Sequence, residues 1–294
     1  MPDRRRLAPR LLAVLAGGLL LAAPLGALPG DAEVRIKAAA TALAKGDGIA
    51  AEAELDRALE AGAAKPDVAA SMGEALIVQG QLVRAREWLE PARFSPVSAA
   101  YGWRMKGLLE RREGNLAAAG SAYDRALALT PEDPQLWVDI GRMRYAGGEH
   151  IPAIQAADRA LSLDPDHPRA LEFRAQLLRD AGDPDSALGL FERALEVAPG
   201  DLDLLAGQAE TLGETGRASE MLAVVRRMTE IDPRHPWAIY LQAVLAARAG
   251  KTDLARSILN RLGDRLDNVP SAMLLAGLLE LEAGNANVAV GQLE

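Results

Sequence analysis

The chain has 294 residues, with 33 Lys and Arg against 41 Asp and Glu and no cysteine. The lack of cysteine excludes disulfides, a thiol nucleophile, a cysteine zinc site and any lipid anchor attached through cysteine. The formal charge of −8 makes the chain a poor general partner for nucleic acid, whose phosphates need neutralising by Lys and Arg. Ala and Leu abound and aromatics are only 4%, so helices that pack here must do so through small side chains at close approach.

The first thirty residues differ in kind from the rest. Arg4, Arg5, Arg6 and Arg10 precede an uncharged apolar run from Leu11 to Ala23, followed by Pro24 and small residues. A basic head, a short apolar middle and a small-residue exit predict a secretory signal segment over 1–31, with Ala27 as the residue before the cut and alternatives up to Ala32. The rival expectation is an uncleaved inner-membrane anchor over 11–28, barely long enough to span and interrupted by Pro24. Either way the remainder is expected on the periplasmic side, touching the membrane only through that segment.

From there one ladder orders the chain. Gly46, Gly80, Gly114, Gly148, Gly182, Gly216, Gly250 and Gly284 recur every 34 residues. A period in this range is the mark of stacked helix–turn–helix units. With the glycine at position 15, the units start at 32, 66, 100, 134, 168, 202, 236 and 270, so 32–294 reads as one solenoid whose last unit is incomplete. A helix A runs up to each glycine and a helix B follows it. The glycine serves a helix end that needs positive φ.

Two small-residue registers accompany the ladder. Position 8 is always Gly or Ala (Ala39, Gly73, Gly107, Gly141, Ala175, Ala209, Ala243, Gly277), and position 20 is Ala in every unit except at Met221. They predict close crossing of A and B. Pro131, Pro165, Pro199 and Pro233 end helix B, where a residue without an N–H cannot continue it. Pro66, Pro134, Pro168, Pro236 and Pro270 open the next helix A, where the missing N–H is harmless.

Trp103, Gly107, Gly114, Ala119, Tyr123, Ala126 and Pro131 resemble the tetratricopeptide repeat (TPR) pattern, and so do Trp137, Gly141, Gly148, Ala153, Ala160 and Pro165. The second half of the pattern recurs in Gly182, Ala187, Phe191, Ala194 and Pro199. The resemblance implies an all-α, right-handed superhelical solenoid with a concave face lined by the A helices. The opening ATALAKGDGIAAEAELDRALEAG and the stretch from His235 to Asn285 also resemble TPR proteins of bacterial exopolysaccharide and PEP-CTERM/exosortase systems. Position 7, usually large and apolar, is Lys106, Arg174, Gln208 and Gln242, which predicts a looser seam between neighbouring A helices. Val288, Val290 and Leu293 have no following helix to cover them, which suggests a fragment of a longer array.

No constellation predicts catalysis. His150, His167 and His235 read as solvated turn residues, and the last two sit too far apart along the solenoid to share a metal ion. No phosphate loop, Gly-x-Ser-x-Gly sequence or His-Glu-x-x-His is present, so no cofactor or metal is expected. If positions 4, 8 and 11 of helix A face the core, positions 2, 5, 9, 12 and 13 face the groove. That phase gives the candidate partner-binding residues Tyr101, Arg104, Arg111, Arg112, Arg142, Tyr145, Arg169, Arg179, Trp237 and Tyr240, with Glu172, Gln176, Asp180, Asp203, Glu210, Glu214 and Arg248 beside them.

Arginine binds carboxylates bidentately and aromatics give rigid anchors, so the expected partner is a protein with an acidic segment. The expected function is an exported, non-catalytic scaffold in envelope or exopolysaccharide assembly. The alternatives are a polysaccharide binder that stacks sugars on Tyr101, Tyr145, Trp237 and Tyr240, or the binding part of a protein with a catalytic module beyond residue 294.

Overall fold

A computed structural model describes residues 30–285; the expected signal segment and the apolar trio Val288, Val290 and Leu293 lie outside them. The A helices are α1 (Gly30–Leu43), α3 (Lys65–Val78), α5 (Ala99–Arg112), α7 (Pro134–Ala146), α9 (Pro168–Asp180), α11 (Leu202–Glu214), α13 (Pro236–Arg248) and α15 (Pro270–Glu282). The B helices between them are α2 (Gly48–Glu60), α4 (Leu82–Leu89), α6 (Leu116–Leu129), α8 (His150–Leu163), α10 (Pro184–Val197), α12 (Ala218–Ile231) and α14 (Thr252–Leu259). The described residues form a solenoid of helix pairs without strands.

All eight ladder glycines have positive φ, between 70° and 83°. Each A helix closes the same way. The glycine N–H donates to the carbonyl three residues back, and the next N–H donates to the carbonyl five back, as at Gly148→Tyr145 (2.9 Å) and Glu149→Arg144 (2.9 Å). This double bond pattern satisfies carbonyls that the helix end leaves orphaned. A Cβ on any of the eight would meet nothing within 4 Å, so the demand for glycine is torsional alone.

Position 8 is glycine for a different reason. A Cβ on Gly73 would come within 2.5 Å of Leu89 Cδ2, and one on Gly107 within 2.5 Å of Tyr123 Cδ1. At Gly141 the intruder is Phe173 Cε1, at 2.6 Å, from the next A helix. Helix B thus drives a large residue across the waist of helix A. The position-20 residues Ala51, Ala85, Ala119, Ala153, Ala187, Met221 and Ala255 are all buried at the same crossings.

Helix B ends where proline requires it. Thr130, Asp164, Ala198 and Asp232 cap α6, α8, α10 and α12 in non-helical conformations just before Pro131, Pro165, Pro199 and Pro233. The second and seventh units depart from this. Helix α4 stops at Leu89, two residues before Pro91, and Phe94 in the following loop packs against Gly102 and edge-on to Trp103 at 5.8 Å. Helix α14 gives way to a 3₁₀ segment, Asn260–Asn268, kinked at Gly263.

Successive A helices approach one another at the backbone, whereas among the described residues no two B helices do. The A row is therefore the tighter, inner side of the curve. Burial widens the core-facing arc. Position 4 is buried at Ala69, Leu171, Leu205 and Ile239 and position 11 at Leu76, Glu110, Leu212, Ala246 and Glu280, although Arg144 is exposed and Trp103 and Trp137 are half-buried; position 10 is buried as well, at Ala75, Leu109, Met143, Leu177 and Leu279. Helix A packs on both its own B helix and the next A helix, which accounts for the width. The polar residues at position 7 also differ from expectation. Arg174 pairs with Asp158 (3.0 Å), Lys106 with Glu90 (3.6 Å), and Gln242 donates to Thr229 (2.8 Å), each on the preceding B helix. They bridge the A row to the B row instead of loosening the A–A seam.

Candidate binding groove

The ladder fixes the phase of every A helix, so positions 2, 5, 9 and 12 of successive units line up along the inner face. Two clusters of charge form there. In the first, Arg104 of α5 faces Asp139 of α7 at 3.8 Å and Asp133 at 4.0 Å, and its guanidinium lies 5.3 Å over the Tyr101 ring. The Tyr101 hydroxyl donates to Glu74 of α3. Arg142 reaches Glu172 of α9 at 3.3 Å and lies over Phe173. Arg111 and Arg112, at the end of α5, have no carboxylate partner among the described residues.

The second cluster is closed by ion pairs. Arg169 bonds Glu172 (2.8 Å) and Asp201 (2.9 Å) and lies 3.4 Å from Asp203, and Arg179 pairs with Glu210 (3.3 Å) and Glu214 of α11. The Tyr145 hydroxyl donates to Asp180, and Arg248 donates to the Gly213 carbonyl at 2.7 Å. Trp237 and Tyr240 meet edge-on with centroids 5.7 Å apart. A depression of about 390 Å³ opens between Trp237 and α9, with Phe191 in its lining. Gly207 is also in its lining, where a side chain would collide with the Phe191 ring.

Burial shapes the ionisation of both clusters. It pushes the Asp139 carboxyl up despite the pull of Arg104, Arg142 and Arg111, and pushes Glu74 up against Arg104. Asp203 and Glu210 are likewise raised by burial, opposed by Arg169 and Arg179 respectively. Burial lowers Arg112, and the neighbouring charge of Arg111 lowers it further. A groove whose charges are this poorly hydrated gains most from a partner that brings fixed, complementary charges.

The sequence-derived residues thus lie on one face, in two groups. Arg104, Arg111 and Arg142 gather round Asp139, with Arg112 beside Arg111, while Arg169 and Arg179 belong with the carboxylates of α9 and α11. Most of the expected basic strip is neutralised inside the chain. Sequence reasoning missed Asp139, which answers Arg104 from the next unit, Asp133 and Asp201, which answer Arg104 and Arg169 from the turn that ends their own unit, and Glu74, which accepts from Tyr101. It also missed Leu274, Leu278 and Leu281, about half exposed at positions 5, 9 and 12 of α15, where the same phase rule could have found them. His167 is no solvated turn residue: its Nδ1 accepts from the Ala170 N–H at 3.3 Å, capping α9, and burial lowers its pKa.

The tetratricopeptide repeat profile matches residues 89–134, 104–168, 139–201 and 174–236, together half of the chain. The chain belongs to the tetratricopeptide repeat family. Similar solved structures are TPR proteins as well. A TPR protein from Parabacteroides merdae ATCC 43184 aligns at 19% identity and a TM-score of 0.59, over 85% of this chain and 98% of that one. PilF of Pseudomonas aeruginosa aligns at 18% identity and a TM-score of 0.55, over 74% and 97%. PilW, described as a type IV pilus biogenesis factor, aligns at 18% and 0.56, over 67% and 91%. At these identities the likeness is one of TPR fold. No curated protein sequence matches the chain.

Proposed function

We propose that this TPR protein is an exported, non-catalytic scaffold that holds a segment of a partner protein along its concave groove, in envelope or exopolysaccharide assembly. The observation that carries the reading is the row of half-buried arginines and carboxylates on the groove positions, paired from one A helix to the next. Such a row presents a fixed pattern of charge to an extended chain, and it leaves Arg111 and Arg112 outside any direct ion pair among the described residues, open to an acidic group. The basic head and apolar run of the first thirty residues support export. The family supports protein binding in general, and PilF and PilW add only a shared fold.

The test is capture of a partner from an envelope fraction by the full chain and by an Arg111→Glu/Arg112→Glu variant, with Arg159→Glu/Arg193→Glu on the outer row as control. Melting curves establish that each variant folds. The partner should be retained by wild type and control and lost by the groove variant. Equal recovery on all three removes the groove reading.

One observation favours a second reading, direct glycan binding: Trp237 lines a depression whose other walls include Gln176, Glu172 and Asp203, an aromatic wall beside hydrogen-bonding groups. The hydroxyls of Tyr101 and Tyr145 are bonded to Glu74 and Asp180, and Arg104 lies over the Tyr101 ring, so Trp237, in the wall of the depression, is the platform this reading uses first. Titration with acidic and neutral polysaccharides should quench tryptophan fluorescence; an unchanged spectrum counts against it.

A further inference from the structure

Three hydrogen-bond donors without acceptors meet on the floor of the first charge cluster. Arg104 Nε, Arg111 Nε and the Tyr123 hydroxyl are each buried and make no hydrogen bond of regular geometry among the described residues. Tyr123 is 1% exposed. Its ring, on helix B, crosses helix A at Gly107; Arg111 lies against its hydroxyl oxygen, the charges of Asp139 and Arg104 also act there, and the O–H itself is left without an acceptor. Buried donors are almost always satisfied, so three orphans at one point require an explanation.

Packing does not supply it. The residues equivalent to Tyr123 in the other units are Leu55, Leu89, Ala157, Phe191, Val225 and Leu259, none of which carries a polar atom. The unit that places a hydroxyl there is also the one whose helix A ends in two adjacent arginines. Asp139 does not satisfy the cluster either. It lies 3.8 Å from Arg104 Nε, and one of its oxygens already accepts from Gln135 at 3.3 Å. Arg142 completes the ring from α7, its own partner Glu172 being shared with Arg169.

We propose that Arg104, Arg111, Arg112, Arg142 and the Tyr123 hydroxyl form an oxyanion pocket in the groove that takes the carboxylate of an Asp or Glu side chain from the partner segment. The proposal rests on the groove reading above and gives that groove its anchoring point. Two carboxylate oxygens offer about four lone-pair sites, enough for the orphan donors together with an Arg111 or Arg112 guanidinium. A carboxylate there also relieves the repulsion between the two adjacent arginines. The Tyr123 hydroxyl is the deepest donor. It is unfavourable in the free protein and useful only in the complex.

That asymmetry supplies the test. Fluorescein-labelled hexaglutamate, amide-capped so that only side-chain carboxylates are available, is titrated against the full chain by fluorescence anisotropy at low salt. The variants are Tyr123→Phe, Arg111→Gln/Arg112→Gln and, on the outer row, Arg159→Gln/Arg193→Gln. Wild type and the outer-row control should bind alike. The groove pair should bind at least about tenfold more weakly, since hydrogen bonds to charged groups are worth that much each. Tyr123→Phe should weaken binding about tenfold by the same reasoning, yet melt at the same temperature as wild type or higher when unliganded.

A lower melting temperature for Tyr123→Phe, or unchanged affinity, gives the hydroxyl a merely structural role and overturns the pocket. So does equal binding by the groove pair and the control, or no binding of the peptide by wild type. These measurements need no native partner. Failure here with successful envelope capture overturns the pocket alone, while failed capture with intact peptide binding removes the partner reading and leaves the pocket standing.

Discussion

Gly107→Ala isolates the packing rule that brings each helix pair together. The added Cβ would stand 2.5 Å from Tyr123 Cδ1 and 2.9 Å from Cζ, against a ring that is fully enclosed. Phe191 sits opposite Ala175 in the fifth unit, and there its ring tips into the space that Gly207 leaves in the next A helix. Tyr123 has no such refuge, because the residue equivalent to Gly207 is Asp139. Overpacking of this kind costs about 1–3 kcal/mol. Alanine recovers about 1 kcal/mol over glycine inside a helix. The net loss should be about 0–2 kcal/mol by those two magnitudes.

A double-mutant cycle with Tyr123→Ala by urea unfolding measures the clash directly. In the Tyr123→Ala background, which has lost the ring, Gly107→Ala should be neutral or stabilising. If Gly107→Ala has the same effect in both backgrounds, or stabilises the wild type, the close approach of ring and helix is not what fixes glycine at position 8.

Two further outcomes concern ionisation. The Asp139 carboxyl is raised by burial, so its stabilising contribution is complete below the unfolded carboxylate value near 4 and is lost as pH rises through the folded value. Asp139→Asn should therefore gain in melting temperature relative to wild type between pH 4 and pH 7, and a gap independent of pH counts against the assignment. His167 is lowered by burial, so its contribution is present above the unfolded value near 6.5 and fades as pH falls below it toward the folded value. His167→Ala should cost about 1 kcal/mol at pH 8, the usual worth of a helix cap, and less at pH 5. A constant difference across that range would separate the cap from the titration.

How legible this was depended on the range of the interaction. The ladder glycines report a local torsion, and φ is positive at every one of them. Proline ended helix B where the chain carries Pro131, Pro165, Pro199 and Pro233, and the early break in the second unit was equally readable at Pro91. Pairings between units were not readable. Nothing local to Arg179 says that Glu210 and Glu214 answer it, because the partners lie 31 and 35 residues away and both faces of a helix can carry charge. Several arginines of the expected basic strip are therefore paired within the chain, Arg104, Arg142, Arg169 and Arg179 among them. Tyr123 fits the repeat pattern as a large core residue, and the pattern is silent about where its hydroxyl points.

The inner-row ion pairs have a mechanical side. Arg104–Asp139, Arg142–Glu172, Arg169–Asp203 and Arg179–Glu210 each tie one A helix to its successor, whereas Arg84–Glu52 is the one ion pair between B helices among the described residues. The solenoid is thus a spring laced along its inner edge. Lengthening the groove stretches every lace in series, while closing it meets only the packing of the A row. Surface ion pairs weaken with ionic strength, so the stiffness of the spring is set partly by salt.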